Sequence, residues 1–262
     1  MKLPKIIFFD IDDTLYIKYD NVVPSSTIEA LHTLKNKGIM VAIATGRGRS
    51  VFPPQIDRLI DEVGIEVLVT INGQYIEYQG QALATFALSN EQITHTTNYL
   101  LEQRIAYAYM TATHIYALKD SQALKDALTS LHIPYSYISA QELAPYPPIY
   151  QILAFYDDNR HITLPLLPSL KTTRWHTSGV DILDKDGSKA RGIQVVLDKL
   201  GIEIKDAWAF GDGLNDIEML EAVGFGVAMG NGHPELKAVA DFVAPTIKEE
   251  GIAKALRHLG VI

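Results

Sequence analysis

The sequence contains no cysteine among its 262 residues. This absence excludes disulfide bonds, thiolate nucleophiles and zinc–thiolate sites. Long hydrophobic runs are also missing, because no stretch approaches the roughly 20 apolar residues of a membrane span. The short apolar run near the N-terminus is not followed by a signal-peptide cleavage pattern. We therefore expect a cytoplasmic protein without a membrane partner.

Positive charge is scarce too, since 23 Lys and Arg face 31 Asp and Glu, for a formal net charge of −8. Nucleic acids and anionic membranes are bound by basic surfaces, so we expect neither as a partner. A small phosphorylated metabolite needs only a local positive site and stays compatible with this charge. The segments Gly46-Arg47-Gly48 and Gly211-Asp212-Gly213 lack a full G-x-G-x-x-G loop, which argues against a dinucleotide-binding dehydrogenase.

The residues that are present predict an α/β fold. Apolar strands alternate with helices over the first ~80 residues, and the same alternation resumes near residue 183, which is typical of a parallel sheet covered on both faces. The stretch between them has short, tyrosine-rich strands and hairpin signals, which favour an α+β arrangement. We therefore expect a Rossmann-like parallel-sheet core over residues 1–82 and 183–262, with an inserted α+β domain over 83–182.

The first predicted helix carries local signals at both ends. Ser26 and Glu29 have the spacing of a capping box, in which a hydroxyl and a carboxylate satisfy the first free N–H groups. Gly38 stands where the helix should end. These signals predict a helix that starts next to Ser26.

Two aspartates follow the first apolar run, Ile6-Ile7-Phe8-Phe9. Asp10 and Asp12 are spaced i, i+2, so on a strand their side chains would share one face. Two carboxylates held close together repel, and the pair needs a cation between them or a proton on one member. The spacing therefore predicts a divalent-metal site that could attack an electrophile such as a phosphoryl group.

Three further segments fall at strand ends or at a helix start. They are Thr45-Gly46-Arg47, Lys189, and Gly211-Asp212-Gly213-Leu214-Asn215-Asp216. Parallel strands would bring all of them to the edge at which α/β sheets bind ligands. Carboxylates, a hydroxyl, an ammonium and helix N-termini together are what phosphoryl transfer with a hard metal ion requires.

In their order and spacing, these segments resemble the four motifs of the haloacid dehalogenase superfamily of phosphatases. Those motifs are Asp10-Ile11-Asp12-Asp13-Thr14, Thr45, Lys189 and the segment from Gly211 to Asp216. The insertion between Thr45 and Lys189 resembles that of the Cof-type, or class IIB, members. Arg174-Trp175 before Asp181 is similar to bacterial hexose-phosphate phosphatases of that group.

The resemblance implies Mg²⁺-dependent hydrolysis of phosphomonoesters of small metabolites, with sugar phosphates as the leading substrates. It implies that Asp10 is the nucleophile that forms an aspartyl-phosphate, and that Asp12 is the acid and base. Thr45 and Lys189 would bind phosphoryl oxygens. The resemblance also implies a cap (C2-type) domain that closes over the substrate and sets specificity.

The same resemblance implies a metal site and substrate contacts. Asp10, the main-chain carbonyl of Asp12, and Asp212 would hold Mg²⁺, with Asp216 behind them or acting through water. The expected substrate contacts are Gly46, Arg47, Asn72 and Asn215. Asp13 departs from the family, which usually has glycine there, and on a strand it would point away from Asp10 and Asp12. We assign it no catalytic role.

Two other interpretations stay open at this point. A phosphosugar mutase can share this class of insertion and would return the phosphoryl group to a sugar. A receiver-like signalling domain also phosphorylates an aspartate on an α/β sheet, although the large insertion and the acid/base at i+2 speak against it. The sequence leaves both a monomer and a homodimer open.

Overall fold

A computed structural model describes residues 2–143, 145–157, 159, 164–165 and 167–262. The chain forms two compact units. The first comprises the residues up to Arg47, Phe52–Thr85 and Ser188–Ile262, and the second comprises Gly48–Val51 and Phe86–Gly187.

In chain order, the strands are β1 (Ile6–Phe9), β2 (Met40–Ala44), β3 (Val67–Thr70), β4 (Tyr75–Tyr78), β5 (Gln81–Thr85), β6 (Ala106–Met110), β7 (Ile115–Ala117), β8 (Ser136–Tyr137), β9 (Gln151–Phe155), β10 (Leu170–His176), β11 (Gly179–Asp184), β12 (Ala207–Gly211), β13 (Phe225–Ala228) and β14 (Phe242–Val243). The helices are α1 (Ser25–Asn36), α2 (Pro54–Val63), α3 (Asn90–Glu102), α4 (Gln122–Ser130), α5 (Ala140–Leu143), α6 (Lys189–Leu200), α7 (Ile217–Ala222), α8 (Pro234–Val239) and α9 (Gly251–His258).

The first unit is built on a sheet with the strand order β14-β13-β12-β1-β2-β3-β4-β5. β1 pairs in parallel with both β2 and β12, whereas β4 runs antiparallel to its two neighbours, β3 and β5. The chain moves outward from β1 to β5 and then returns to the other side of β1. This reversal makes the boundary of β1 and β12 a topological switch point, where α/β sheets form a ligand crevice.

Helices cover both faces of this sheet, which confirms the predicted α/β core. Ile7 and Phe9 of β1 share a core cluster with Leu31 of α1 and Leu256 of α9. On the other face α6 approaches β3 so closely that a Cβ on Gly192 would lie 2.3 Å from Val69. The strands read as unbroken apolar runs because both of their faces are buried.

The second unit has its own sheet, in the order β10-β11-β9-β6-β7-β8. Its pairs are antiparallel except for β7 with β8. Tyr107 and Tyr109 of β6 lie in a buried cluster with Ile93 and Leu100 of α3. This α+β arrangement agrees with the type of fold predicted for the insertion.

The ends of the insertion differ from the residues 83 and 182 expected from the sequence. β5 pairs with β4, so residues up to Thr85 stay with the first unit. β11 continues to pair with β10 as far as Asp184, which keeps the chain in the second unit up to Gly187. Strand pairing, which depends on partners distant in sequence, sets both boundaries.

The capping box predicted at Ser26 is wrong. Pro24 stands at the N-cap of α1, without a side-chain capping bond, and Ser26 lies inside the helix. Its Oγ is buried and has no hydrogen-bond partner among the described residues. Gly38 does follow the end of the helix in a left-handed conformation, at φ +75°, as glycine does beyond a helix C-terminus.

Within the described ranges, no helix combines the length and the apolar character needed to cross a bilayer.

Candidate active site

Asp10 and Asp12 lie just beyond the end of β1, in a loop. The strand ends at Phe9, so the shared strand face predicted for the two aspartates is wrong, although both lie at the carboxyl edge of the sheet. The backbone N–H of Asp10 donates to the carbonyl of Phe210, over 3.0 Å. This bond places Asp10 at the switch point between β1 and β12, where its residue is only 6% exposed.

Lys189 lies beside Asp10 and is fully buried. Its Nζ donates to Asp10 Oδ1 over 2.6 Å and to Asp216 Oδ1 over 2.5 Å. Ser188 caps α6 by accepting from the backbone N–H of Arg191, so Lys189 is the first residue of the helix. The ammonium therefore joins the end of β1 to the loop that follows β12.

Asp216 also organises its own loop. Its Oδ2 accepts from the backbone N–H groups of Asp212 and Gly213, each over 2.9 Å. These bonds bend the chain after β12 so that the Asp212 carboxylate comes near Asp10. One carboxylate oxygen from each of Asp10, Asp212 and Asp216 lies within 4.8 Å of the others.

Burial disfavours the charged form of two of these carboxylates. It raises the pKa of Asp10 to about 7, and the nearby carboxylates of Asp216 and Asp12 act in the same direction, although Lys189 opposes them. Burial likewise raises the pKa of Asp212 to about 9, helped by Asp10, Asp216 and Asp13. Burial alone would lower the pKa of Lys189, but the carboxylates of Asp10 and Asp216 outweigh it and raise that pKa.

The charge balance of the site fits a divalent cation. Among the described residues, direct ion pairs bring two cations, Lys189 and Arg47, to the carboxylates of Asp10, Asp12, Asp212 and Asp216. Two formal negative charges are left over when all four aspartates are ionised. Clustered carboxylate oxygens are the donors that hard cations such as Mg²⁺ prefer. The side chains of this carboxylate cluster are therefore suited to binding a divalent cation such as Mg²⁺.

Asp12 makes a two-pronged ion pair with Arg47. Arg47 Nε donates to Asp12 Oδ2 over 2.7 Å, and Nη2 donates to Oδ1 over 2.8 Å. The arginine side chain is 7% exposed, whereas the Asp12 side chain is 28% exposed. The arginine is thus the buried member of the pair, and the carboxylate is the more solvent-accessible one.

The remaining predicted residues form a second group at this edge. Thr45 follows β2, and its Oγ1 accepts from the backbone N–H of Arg47 over 3.2 Å. Asn215 Nδ2 donates to Asn72 Oδ1 over 3.1 Å. A Cβ on Gly46 would lie 3.1 Å from that same oxygen. The structure therefore brings all ten predicted site residues to the carboxyl edge of one sheet.

Backbone strain accompanies this second group. Ile71 and Asn72 have φ values of +52° and +50°, which side-chain-bearing residues rarely adopt. Two bonds hold the turn, from Ile71 N to the Arg47 carbonyl and from Asn72 N to the Thr45 carbonyl, each over 3.0 Å. Such strain persists only where the surroundings impose it, and it concentrates at functional sites.

Two residues near the site were not assigned a role from the sequence. Asp13 is in a left-handed turn at φ +53° rather than on a strand, and it pairs with Lys18 over 2.8 Å. Asn231 donates from Nδ2 to the Asp13 carbonyl and accepts at Oδ1 from Ile247 N, each over 2.8 Å. The signal for Asn231 was its place in Gly230-Asn231-Gly232, just after β13, at the same edge of the sheet.

Arg174, which carries part of the resemblance to hexose-phosphate phosphatases, belongs to the second unit. Arg174 Nη1 donates to the carbonyls of His176 and Thr177, over 3.2 and 3.1 Å. Its guanidinium also lies 4.9 Å from the centre of the Tyr156 ring. These contacts hold the turn between β10 and β11.

Comparisons with known proteins agree with this architecture. A family model described as haloacid dehalogenase-like hydrolase matches residues 7–256. "Putative phosphatase YkrA" of Bacillus subtilis (strain 168) is 35% identical over 264 aligned positions, which cover 98% of each chain. From the same organism, "5-amino-6-(5-phospho-D-ribitylamino)uracil phosphatase YwtE" is 28% identical over 285 positions, covering 97% of this chain and 98% of YwtE. The solved structure of the "HAD Subclass IIB Sugar Phosphatase BT4131" has a TM-score of 0.90 and 31% identity, covering 98% of this chain and 100% of that one.

Proposed function

The chain belongs to the haloacid dehalogenase-like hydrolases and is a phosphatase, and we propose that it hydrolyses phosphomonoesters of small metabolites with Mg²⁺, through an aspartyl-phosphate on Asp10. One observation carries the proposal. Buried Lys189 bridges Asp10 and Asp216, within a carboxylate cluster that includes Asp212. A nucleophile, a cation for the phosphoryl oxygens and a set of metal ligands then stand together at a switch point.

Asp10 is the proposed nucleophile. In the first step its carboxylate oxygen forms a bond to phosphorus, and the bond between phosphorus and the substrate's alcohol oxygen breaks. The hydrogen bond from Lys189 to Oδ1 fixes the orientation of the carboxylate for this attack. Its position directly after β1 supports this role, because the rigid sheet holds the backbone of Asp10 through Phe210.

Asp12 is the proposed acid and base. It gives a proton to the departing alcohol oxygen in the first step. In the second step it takes a proton from water, whose oxygen attacks phosphorus as the bond to Asp10 breaks. Inorganic phosphate leaves, and both aspartates return to their starting state. The partial exposure of Asp12, against the burial of Asp10, suits a group that exchanges protons with substrate and water.

Lys189 and Thr45 are the proposed ligands of the phosphoryl oxygens. Positive charges and hydroxyl donors that are already in position before the reaction begins stabilise the negative charge of the transition state. The Lys189 ammonium stays protonated at neutral pH, because two carboxylates raise its pKa despite full burial. Lys189 thereby also limits the repulsion between Asp10 and the incoming phosphate.

The proposed Mg²⁺ ligands are the Asp10 carboxylate, the main-chain carbonyl of Asp12 and the Asp212 carboxylate. Asp216 stands behind them, since both of its oxygens already accept hydrogen bonds. When bound, Mg²⁺ supplies positive charge to the phosphoryl group. Burial is the main cause of the raised pKa values of Asp10 and Asp212, and a bound cation would offset this cost to their charged forms.

Sugar phosphates are the proposed substrate class. BT4131 is described as a sugar phosphatase, and the name of YwtE describes a phosphate on a ribityl chain. Both names concern a phosphate ester on a polyhydroxylated carbon skeleton. We propose the same class of substrate for this chain, without choosing a single compound.

The test measures phosphate release from a panel of sugar phosphates and other phosphorylated metabolites, with MgCl₂ and with EDTA. We expect turnover with several sugar phosphates that EDTA abolishes. Asp10→Asn should lose nearly all of it while keeping the melting temperature. Asp20→Asn is the matched control, since Asp20 pairs with Lys248 at an exposed position of the same loop. Substantial Mg²⁺-dependent turnover by Asp10→Asn would refute the nucleophile assignment.

A further inference from the structure

Arg47 lies in a loop, but two hydrogen bonds hold its backbone in place. Its backbone N–H donates to Thr45 Oγ1, and its carbonyl accepts from the N–H of Ile71. These bonds tie the residue to the loops after β2 and β3, two neighbouring parallel strands. The side chain, 7% exposed, is itself packed in place. The guanidinium of Arg47 is therefore held in a fixed position.

The Arg47 guanidinium binds both oxygens of the Asp12 carboxylate. Arg47 Nε and Nη2 bind Asp12 Oδ2 and Oδ1, over 2.7 and 2.8 Å. A planar fork that matches both oxygens fixes the plane of the carboxylate as well as its position, which a single point charge does not do. Asp12 lies beyond the end of β1, where a single isolated bridge with Tyr16 is the regular backbone pairing recorded for it.

We propose that Arg47 is a positioning residue that aims the Asp12 carboxylate for proton transfer to the departing alcohol, and that it does not act by binding the substrate. The inference rests on the acid–base role proposed above for Asp12. It reassigns Arg47, which the sequence placed among the substrate contacts, because the two nitrogens of its fork are directed at Asp12. Proton transfer demands tight geometry, so a carboxylate free to rotate is a poorer acid.

The dependence of the rate on the leaving group distinguishes a residue that positions Asp12 from a residue that binds the substrate. An alkyl phosphate such as a hexose 6-phosphate releases an alkoxide that needs a proton, whereas 2,4-dinitrophenyl phosphate releases a stable anion. The ratio kcat/KM reports only the steps up to alcohol release, so it isolates the acid function from the later attack of water. We expect Arg47→Ala to lower kcat/KM for the alkyl ester by about 100-fold or more and for the dinitrophenyl ester by less than about tenfold.

Four further variants extend the test. Asp12→Asn should show the same selective loss, and adding Arg47→Ala to it should cost little more, because the two residues act as one unit. Arg47→Lys keeps the charge without the fork and should recover only part of the alkyl-ester activity. Arg58→Ala, at an exposed position of α2, is the control and should match the unsubstituted protein.

An equal loss for both esters with a raised KM, additive with Asp12→Asn, would overturn the inference and make Arg47 a substrate contact. If Arg47→Ala does not fold, as judged by thermal melting, Arg47→Lys and Arg47→Gln give the same comparison. A flat leaving-group dependence in Asp12→Asn would instead remove the proposed acid role.

Discussion

Lys189 and Asp10 are 179 residues apart in the chain, yet Lys189 Nζ donates to Asp10 Oδ1 over 2.6 Å. Both side chains are buried, and the same ammonium also binds Asp216. One cation therefore connects the two halves of a core that the insertion separates in sequence. It serves the stability of the metal-free site as well as the chemistry proposed for it.

Replacing Lys189 by methionine should therefore damage both stability and activity. The substitution keeps much of the side-chain volume but leaves Asp10 and Asp216 without their shared cation. Breaking a buried ion pair on one side typically costs about 3–5 kcal/mol. We expect a loss of free energy of unfolding of that order in EDTA, measured by urea denaturation, and nearly complete loss of phosphate release.

Mg²⁺ should restore part of the stability of Lys189→Met but little of its activity, since the ion can balance charge without replacing the ammonium on the phosphoryl oxygens. Lys205→Met is the control, because Lys205 pairs with Glu203 at an exposed position. Unchanged stability of Lys189→Met in EDTA would mean that the bridge contributes no net free energy.

The positions of the site residues were largely predictable because parallel strands deliver their carboxyl ends to one edge. Asp10, Thr45 and Asp212 each follow an apolar run, and no knowledge of contacts was needed to group them. The pairing of Arg47 with Asp12 was not predictable in this way. It depends on the path of the loop after β1, which leaves the strand at Phe9, and on the strained turn at Ile71.

The errors have the same physical origin. Ser26 fits a capping box locally, but α1 begins earlier, directly after Pro24, and takes Ser26 into the helix. Asp13 tolerates a left-handed turn that the strand pattern did not reveal. The insertion boundaries follow the pairing of β5 and β11, whose partners lie outside any short sequence window.

The stability of the metal-free protein should fall as the pH rises. The pKa values of Asp10 and Asp212, about 7 and about 9, lie above the value of 3.8 for an ordinary aspartate. Between these values the folded state binds more protons than the unfolded state, so the free energy of unfolding decreases with pH. This contribution is fully present below about pH 4 and is lost through about pH 9.

The proposed Mg²⁺ ion would bind the deprotonated carboxylates, so its stabilising effect should grow with pH. Thermal melting near pH 5 and near pH 8, in EDTA and in MgCl₂, measures both trends. An ion present at 100 times its dissociation constant adds about 2.7 kcal/mol. A shift in melting temperature on adding Mg²⁺ that is the same at both pH values would contradict the proposed ligand set.

Asp212→Asn and Asp216→Asn should separate metal binding from loop support. Asp212 is the proposed ligand, so its substitution should weaken Mg²⁺ binding by at least about 10–100-fold. In EDTA near neutral pH the variant should be at least as stable as the unsubstituted protein, because it removes a carboxyl whose burial disfavours its charge. Titration calorimetry and melting curves measure the two effects.

Asp216→Asn should behave in the opposite way in EDTA. Its carboxylate is fully buried, accepts two backbone N–H bonds and pairs with Lys189. We expect it to destabilise the fold by about 3 kcal/mol or more, the cost of breaking a buried pair. If Asp216→Asn kept its stability while Asp212→Asn lost it, the two assignments would have to be exchanged.

A close approach between two backbone segments places Lys189. Gly73 has φ +75°, and a Cβ there would lie 1.9 Å from the Ser188 carbonyl oxygen, at the start of α6. Gly80 has nearly the same φ, +73°, but a Cβ there would meet nothing within 4 Å. Gly80→Ala should therefore cost only the strain of a left-handed alanine, about 1 kcal/mol.

Gly73→Ala carries that same strain and must also push the N-terminus of α6 away from the turn at residues 71–73. Lys189 is the first residue of α6 and would move with it, and a misplacement of about 1 Å can cost about 100-fold in rate. We expect Gly73→Ala to lose several kcal/mol more stability than Gly80→Ala, by urea denaturation, and to lose most of its phosphate release under conditions where both variants are folded. Equal stabilities and equal rates for the two variants would show that α6 does not depend on this contact for the position of Lys189.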